Sequence, residues 1–149
     1  LENDKIDQSV RNDAVVIVAR TAFKLGDQQR AKNAYERLSA TAIGGLAAEA
    51  LYYRAYFLNA DRDYQGSNDL IQKLAQEYAG FKEYGAKGLI LMAANFYAME
   101  DAFQATYILE NVISNFGQYP QIIEEAKVEL ELIKASEAKT NASVEPGEN

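Results

Sequence analysis

Three aspartates, Asp27, Asp63 and Asp101, stand 36 and then 38 residues apart, and the residues around them fall into step. Eight positions before each is an alanine: Ala19, Ala55, Ala93. Four after comes a small residue (Ala31, Ser67, Ala105), eight after a large one (Tyr35, Ile71, Leu109) and eleven after an aliphatic (Leu38, Leu74, Val112). Fifteen after stand Ala42, Tyr78 and Phe116. Five columns in register across three copies define an internal repeat, so whatever the unit folds into is made three times.

The middle copy identifies the unit. In Ala50–Ala60, Leu51, Ala55 and Leu58 fall on one helical face, and Asp61-Arg62-Asp63 is too short for anything except an immediate turn into a second helix. Each unit is therefore a helical hairpin. Small residues in two columns let the paired backbones approach to about 8–10 Å, and the bulky columns fill the space between one hairpin and the next. The runs between turns are rich in strong helix formers and carry only 2 Pro and 9 Gly, which makes the chain all-α.

The expected helices are Gln8–Leu25 and Gln28–Ala42, Leu46–Ala60 and Tyr64–Tyr78, and Glu83–Met99 and Ala102–Phe116. The units are 8–43, 46–79 and 83–117, with breaks at Gly44-Gly45 and Gly80. On the first helix Val15, Val18, Ala19 and Ala22 are expected on the buried face. Gly85 and Gly88 each cost a helix about 1 kcal/mol and mark either close contacts or a late start. A seventh helix is expected over 121–138. In the register of Ala19, Ala55 and Ala93 it carries Glu131, and a carboxylate cannot sit in a tight crossing. Stacking should therefore stop at a cap, with Ile122, Ile123, Ala126, Leu130 and Ile133 inward and Glu124, Glu125, Lys127, Glu129 and Lys134 in water. Residues 139–149 lack periodicity and are expected as a disordered tail.

The run Ala19-Arg-Thr-Ala-Phe-Lys-Leu-Gly-Asp-Gln-Gln-Arg-Ala31-Lys-Asn-Ala-Tyr35-Glu-Arg-Leu38 resembles the tetratricopeptide repeat (TPR) family in its small, aromatic, Gly, Ala and Tyr spacing. The resemblance covers residues 8–117. Units longer than the family's 34 residues, no Trp and a turn glycine only at Gly26 make it more similar to divergent bacterial envelope repeats, which favours the periplasm or cell envelope over the cytoplasm. It implies a right-handed α-solenoid of three hairpins plus a C-terminal capping helix. The first helices of the hairpins would line a concave groove that takes a partner peptide or helix. Groove positions are then Val16, Arg20 and Phe23, then Glu49, Tyr52, Tyr53, Tyr56 and Asn59, then Lys87, Ile90, Ala94 and Tyr97. The family's Lys/Asn/Arg clamp on a terminal carboxylate maps here onto Val16, Arg20, Tyr53, Lys87 and Leu91, so no such clamp is expected. An aromatic groove with few charges suits an apolar helix or extended segment instead.

Tyr52, Tyr53, Tyr56 and Phe57 cannot all point inward from one helix, and Tyr52 and Tyr56, one turn apart, are the expected exposed pair. The alternative is that the tyrosines span the gap between helices with only their hydroxyls wet. Asp61-Arg-Asp-Tyr-Gln-Gly66 begins like a calcium loop, but Gln65 and Gln72 break the ligand pattern and leave a plain turn. With no His or Cys, imidazole bases, thiolates and most metal sites are excluded. No phosphate loop or nucleophile elbow occurs, so neither an enzyme nor a cofactor is expected. A net charge of -7 repels nucleic acid, and no apolar run is long enough to span a membrane. The expected function is a protein-protein interaction module. The alternative is the structural C-terminal end of a longer array, without a ligand of its own.

Overall fold

The computed structural model describes residues 1–144, and among these are seven α-helices and no strand. They are α1 (Glu2–Lys24), α2 (Gln28–Ser39), α3 (Gly44–Ala60), α4 (Tyr64–Glu77), α5 (Lys82–Ala98), α6 (Ala102–Asn115) and α7 (Pro120–Val144). Two compact units divide the chain, one to Gly88 and one from Leu89 onward, so that α5 contributes to both.

The three aspartates do one job three times. In each turn the residue before the Asp is left-handed: Gly26 at φ 81°, Arg62 at 65° and Glu100 at 66°. The Asp N–H then reaches back to the carbonyl five residues earlier, Ala22, Leu58 or Phe96, at 2.9 Å in every case. The preceding N–H bonds the carbonyl three back, at Phe23, Asn59 or Tyr97. This pair of bonds is the Schellman arrangement, which satisfies the last carbonyls of a helix. The same Asp caps the following helix, its side chain accepting from the backbone N–H of Arg30, Gly66 or Gln104. One residue ends one helix and begins the next.

In the first unit α1 pairs with α2 and α3 with α4, and α2 packs on α3. Val16, Ala19 and Ala22 of α1 meet Ala31, Ala34, Tyr35 and Leu38 of α2 and Ala50 and Phe57 of α3 in one core. Ala48, Leu51 and Leu74 form a second cluster under Tyr52, Tyr78 and Tyr84. The first four columns are buried throughout the chain, and Ala42, Tyr78 and Phe116 are half-buried. At the α3–α4 crossing the Ser67 hydroxyl donates to the Ala55 carbonyl at 2.8 Å, possible only because neither column carries bulk. In the second unit Ile108, Leu109 and Val112 of α6 and Ile122, Ala126, Leu130 and Ile133 of α7 are buried, and these two helices pack together. Glu131 is exposed.

Five expectations need correction or choice. Gly44-Gly45, expected as a break, instead forms the first residues of α3, with Gly44 in a left-handed conformation at φ 59°. Helix α1 starts at Glu2 rather than Gln8. Its polar first turns carry no apolar period, but Glu2 and Asp4 complement the positive end of the helix dipole. Its buried face is Asn12, Val16, Ala19 and Ala22, whereas Val15 is half-buried and Val18 exposed; the run Val15-Val-Ile-Val18 is apolar on every side and leaves the phase ambiguous. Helix α7 continues past Ala138 to Val144, with Thr140 and Ser143 hydroxyls donating to the Ser136 and Thr140 carbonyls, so the expected tail is helical over 139–144. Residues 145–149 lie outside the described residues. Gly88 is the close contact, since a Cβ there would stand 3.1 Å from Ile71 Cγ2, while Gly85 faces open space within a helix that has already begun.

Candidate functional site

The densest chemistry lies in the first unit, around an acid the helix pattern does not bury. Helix α3 is otherwise apolar and small at its start, and Glu49 comes up in its second turn, where α1 and α2 cover it. The side chain of Glu49 is only 3% exposed. Arg20 reaches it from α1 with two parallel bonds, Nε to Oε1 at 2.8 Å and Nη2 to Oε2 at 2.6 Å. The Tyr35 hydroxyl, from α2, donates to Oε1 at 3.1 Å, and Tyr84 lies close enough to feel the same charge. No buried side-chain N or O among the described residues lacks a partner.

The electrostatics follow from that geometry. The hydrogen bond to Glu49 raises the Arg20 guanidinium above its ordinary value, so the guanidinium stays charged. Burial, then the Glu49 charge, raises the phenols of Tyr35 and Tyr84 well above the usual tyrosine range. Tyr53 is raised by the same two causes, against an opposing pull from Arg20. These phenols remain neutral donors around a carboxylate. A bidentate guanidinium with phenolic support is the geometry in which a buried acid is tolerated, because both of its oxygens accept from strong donors.

Aromatic rings extend from this centre. Tyr53 stacks on Tyr35 with centroids 4.3 Å apart and planes 10° from parallel. Phe23 meets Tyr53 at 5.0 Å and Tyr56 at 5.3 Å, both edge to face, and Tyr52 meets Tyr53 edge to face at 5.0 Å. Such pairs add about 0.5–1.5 kcal/mol each beyond the area they bury. They fix the rings in place.

The expected groove residues therefore divide. Arg20, Phe23, Tyr52, Tyr53 and Tyr56 come together on α1 and α3; all the aromatics among them are half-buried, so Tyr52 and Tyr56 are not the exposed pair that helix geometry alone suggested. Val16 is buried in the core and Glu49 beneath Arg20, so neither faces a groove. Asn59 is half-buried near the end of α3. Lys87 lies over the Tyr84 ring at 5.4 Å and pairs with Glu83 at 3.6 Å. Ile90 is buried and offers nothing to a partner. Tyr97, in the second unit, donates to Glu137 of α7 at 3.3 Å. Pattern reading missed Tyr35 as a carboxylate partner, and the available signal was Glu49 itself, the single acid of α3.

Among the described residues no group of three acidic side chains is arranged to hold a metal ion, and no helix is long and apolar enough to cross a membrane. No family model matches the chain, and no curated protein matches it.

Proposed function

We propose that the chain is a non-enzymatic protein-protein interaction module of the tetratricopeptide kind, three stacked hairpins with α7 as the cap, taking an apolar helix or extended peptide on the aromatic surface of α1 and α3. The observation that carries this reading is the cluster of Phe23, Tyr52, Tyr53 and Tyr56, pre-set by stacking and by the Arg20–Glu49 pair beneath it. Half-exposed aromatic faces locked in one rotamer lose little entropy on binding, which is why Tyr is enriched where binding energy concentrates. The buried carboxylate is fully partnered, and its roles here are to hold α1 and α2 against α3 and to set the rings.

The test is the double substitution Tyr52→Ala/Tyr56→Ala. It should weaken capture of partner proteins at least tenfold, while circular dichroism still reports a folded helical chain. A folded double variant that keeps every partner removes this surface from consideration. A second reading, in which the chain adds length to a longer array and holds no ligand, is favoured by a different observation, the apolar outer face of α1.

A further inference from the structure

That outer face has an internal counterpart. Adding the 36-residue spacing between Asp27 and Asp63 carries Val10, Ala14, Ile17 and Thr21 of α1 onto Leu46, Ala50, Tyr53 and Phe57 of α3. On α3 these residues are covered: Ala50 and Phe57 are buried, and Leu46 and Tyr53 pack against the core made by α1 and α2. On α1 all four are exposed, Val10 at 62% and Ile17 at 63%, with Leu25 at 79% beyond them. They fall at i, i+4, i+7 and i+11, one continuous stripe. Beside it, between α1 and the start of α2, lies an open groove of about 270 Å³ lined by Ile17, Val18, Thr21, Leu25 and Arg30. The end of a stack should be polar outside, and α1 is not.

We propose that this face seats a further helical hairpin of the same kind, packed on α1 as α1 and α2 pack on α3. The covering helix presents a small, an aromatic and an aliphatic residue in the pattern of Ala34, Tyr35 and Leu38, because those are what the equivalent α3 face meets. Asp13 adds to the correspondence. It occupies the position of Glu49, and Glu49 is met by Arg20 and Tyr35 of the hairpin lying on it. A hairpin on α1 with an arginine and a tyrosine at those places brings the same partners to Asp13.

This inference rests on one part of the array reading, that the stack continues beyond α1. Whether the chain also holds a ligand is decided separately by the Tyr52→Ala/Tyr56→Ala variant, because those residues lie off the stripe. The experiment fuses residues 1–43 directly ahead of residues 8–149, which keeps the 36-residue spacing, and introduces Ile17→Lys into the inner α1. In the unfused chain Ile17→Lys should change the melting temperature by no more than about 1 °C, since an exposed side chain loses no packing. In the fused chain the same change should lower it by about 5 °C or more. Equal shifts in the two backgrounds overturn the proposal, as does a fused chain whose added residues contribute no helical signal. So does sedimentation showing that the unfused chain dimerises and that Ile17→Lys makes it monomeric, since a second copy would then be the occupant.

Discussion

Glu49 is held by partners that lie 29 residues away at Arg20 and 14 residues away at Tyr35. Losing one partner of a buried pair costs more than the pair is worth against an apolar substitute, because the remaining charge stays out of water. Arg20 is more than half exposed, so screening tempers the loss. Arg20→Ala should lower unfolding stability by about 2 kcal/mol, while Arg20→Met/Glu49→Leu should lose less than the two single changes summed. Urea denaturation of the parent, Arg20→Met, Glu49→Leu and double-variant chains measures the coupling, and strict additivity would mean that the bonds contribute nothing. Little of this network was legible in advance. Arg20, Phe23 and the tyrosines were expected together because the tetratricopeptide resemblance lines one groove with the first helices of the hairpins. The pairing was not, because a periodic pattern ranks residues by polarity and places an acid outside by default. Only the isolation of one carboxylate in seventeen residues of α3 argued otherwise.

At the level of elements the turns decide most. A left-handed residue with a Cβ costs about 1–2 kcal/mol, partly offset because it restricts the unfolded chain more than glycine does. Arg62→Gly and Glu100→Gly should therefore each raise stability by about 0.5–1 kcal/mol, and Gly26→Ala should lower it by about 1 kcal/mol. Thermal melts of the three variants check the signs, and a loss in both glycine variants would show that the two side chains contribute more than their strain. Helix ends next to these turns were readable to within a residue or two, since Asp27, Asp63 and Asp101 fix both neighbours at once. The outer ends of α1 and α7 were not, because nothing apolar marks where a solvated helix stops. The two extra residues of the second spacing lie in α4, fourteen residues long against twelve in α2, with a four-residue connector after each.

For the whole molecule, the net charge of -7 and the raised phenols make alkaline pH the revealing condition. Tyr35 is fully buried and its phenol stays protonated when the unfolded chain, with tyrosines near pH 10, begins to ionise. The folded state then holds the extra proton, so this contribution is complete below about pH 10 and falls by about 1.4 kcal/mol per pH unit above it. Tyr35→Phe should start with a lower urea midpoint at pH 8 and decline less steeply toward pH 11 than the parent chain. Parallel declines would place the alkaline sensitivity elsewhere, in Tyr53, Tyr84 or the growing negative charge.

The joints that share a single aspartate also limit how such a chain can change. Each additional residue spliced into one would spin the following rod by about 100° about its axis and carry its greasy side into solvent. Length can vary in the connectors at 40–43 and 78–81 or by extending a rod, as α4 does, while the joints themselves must be copied whole.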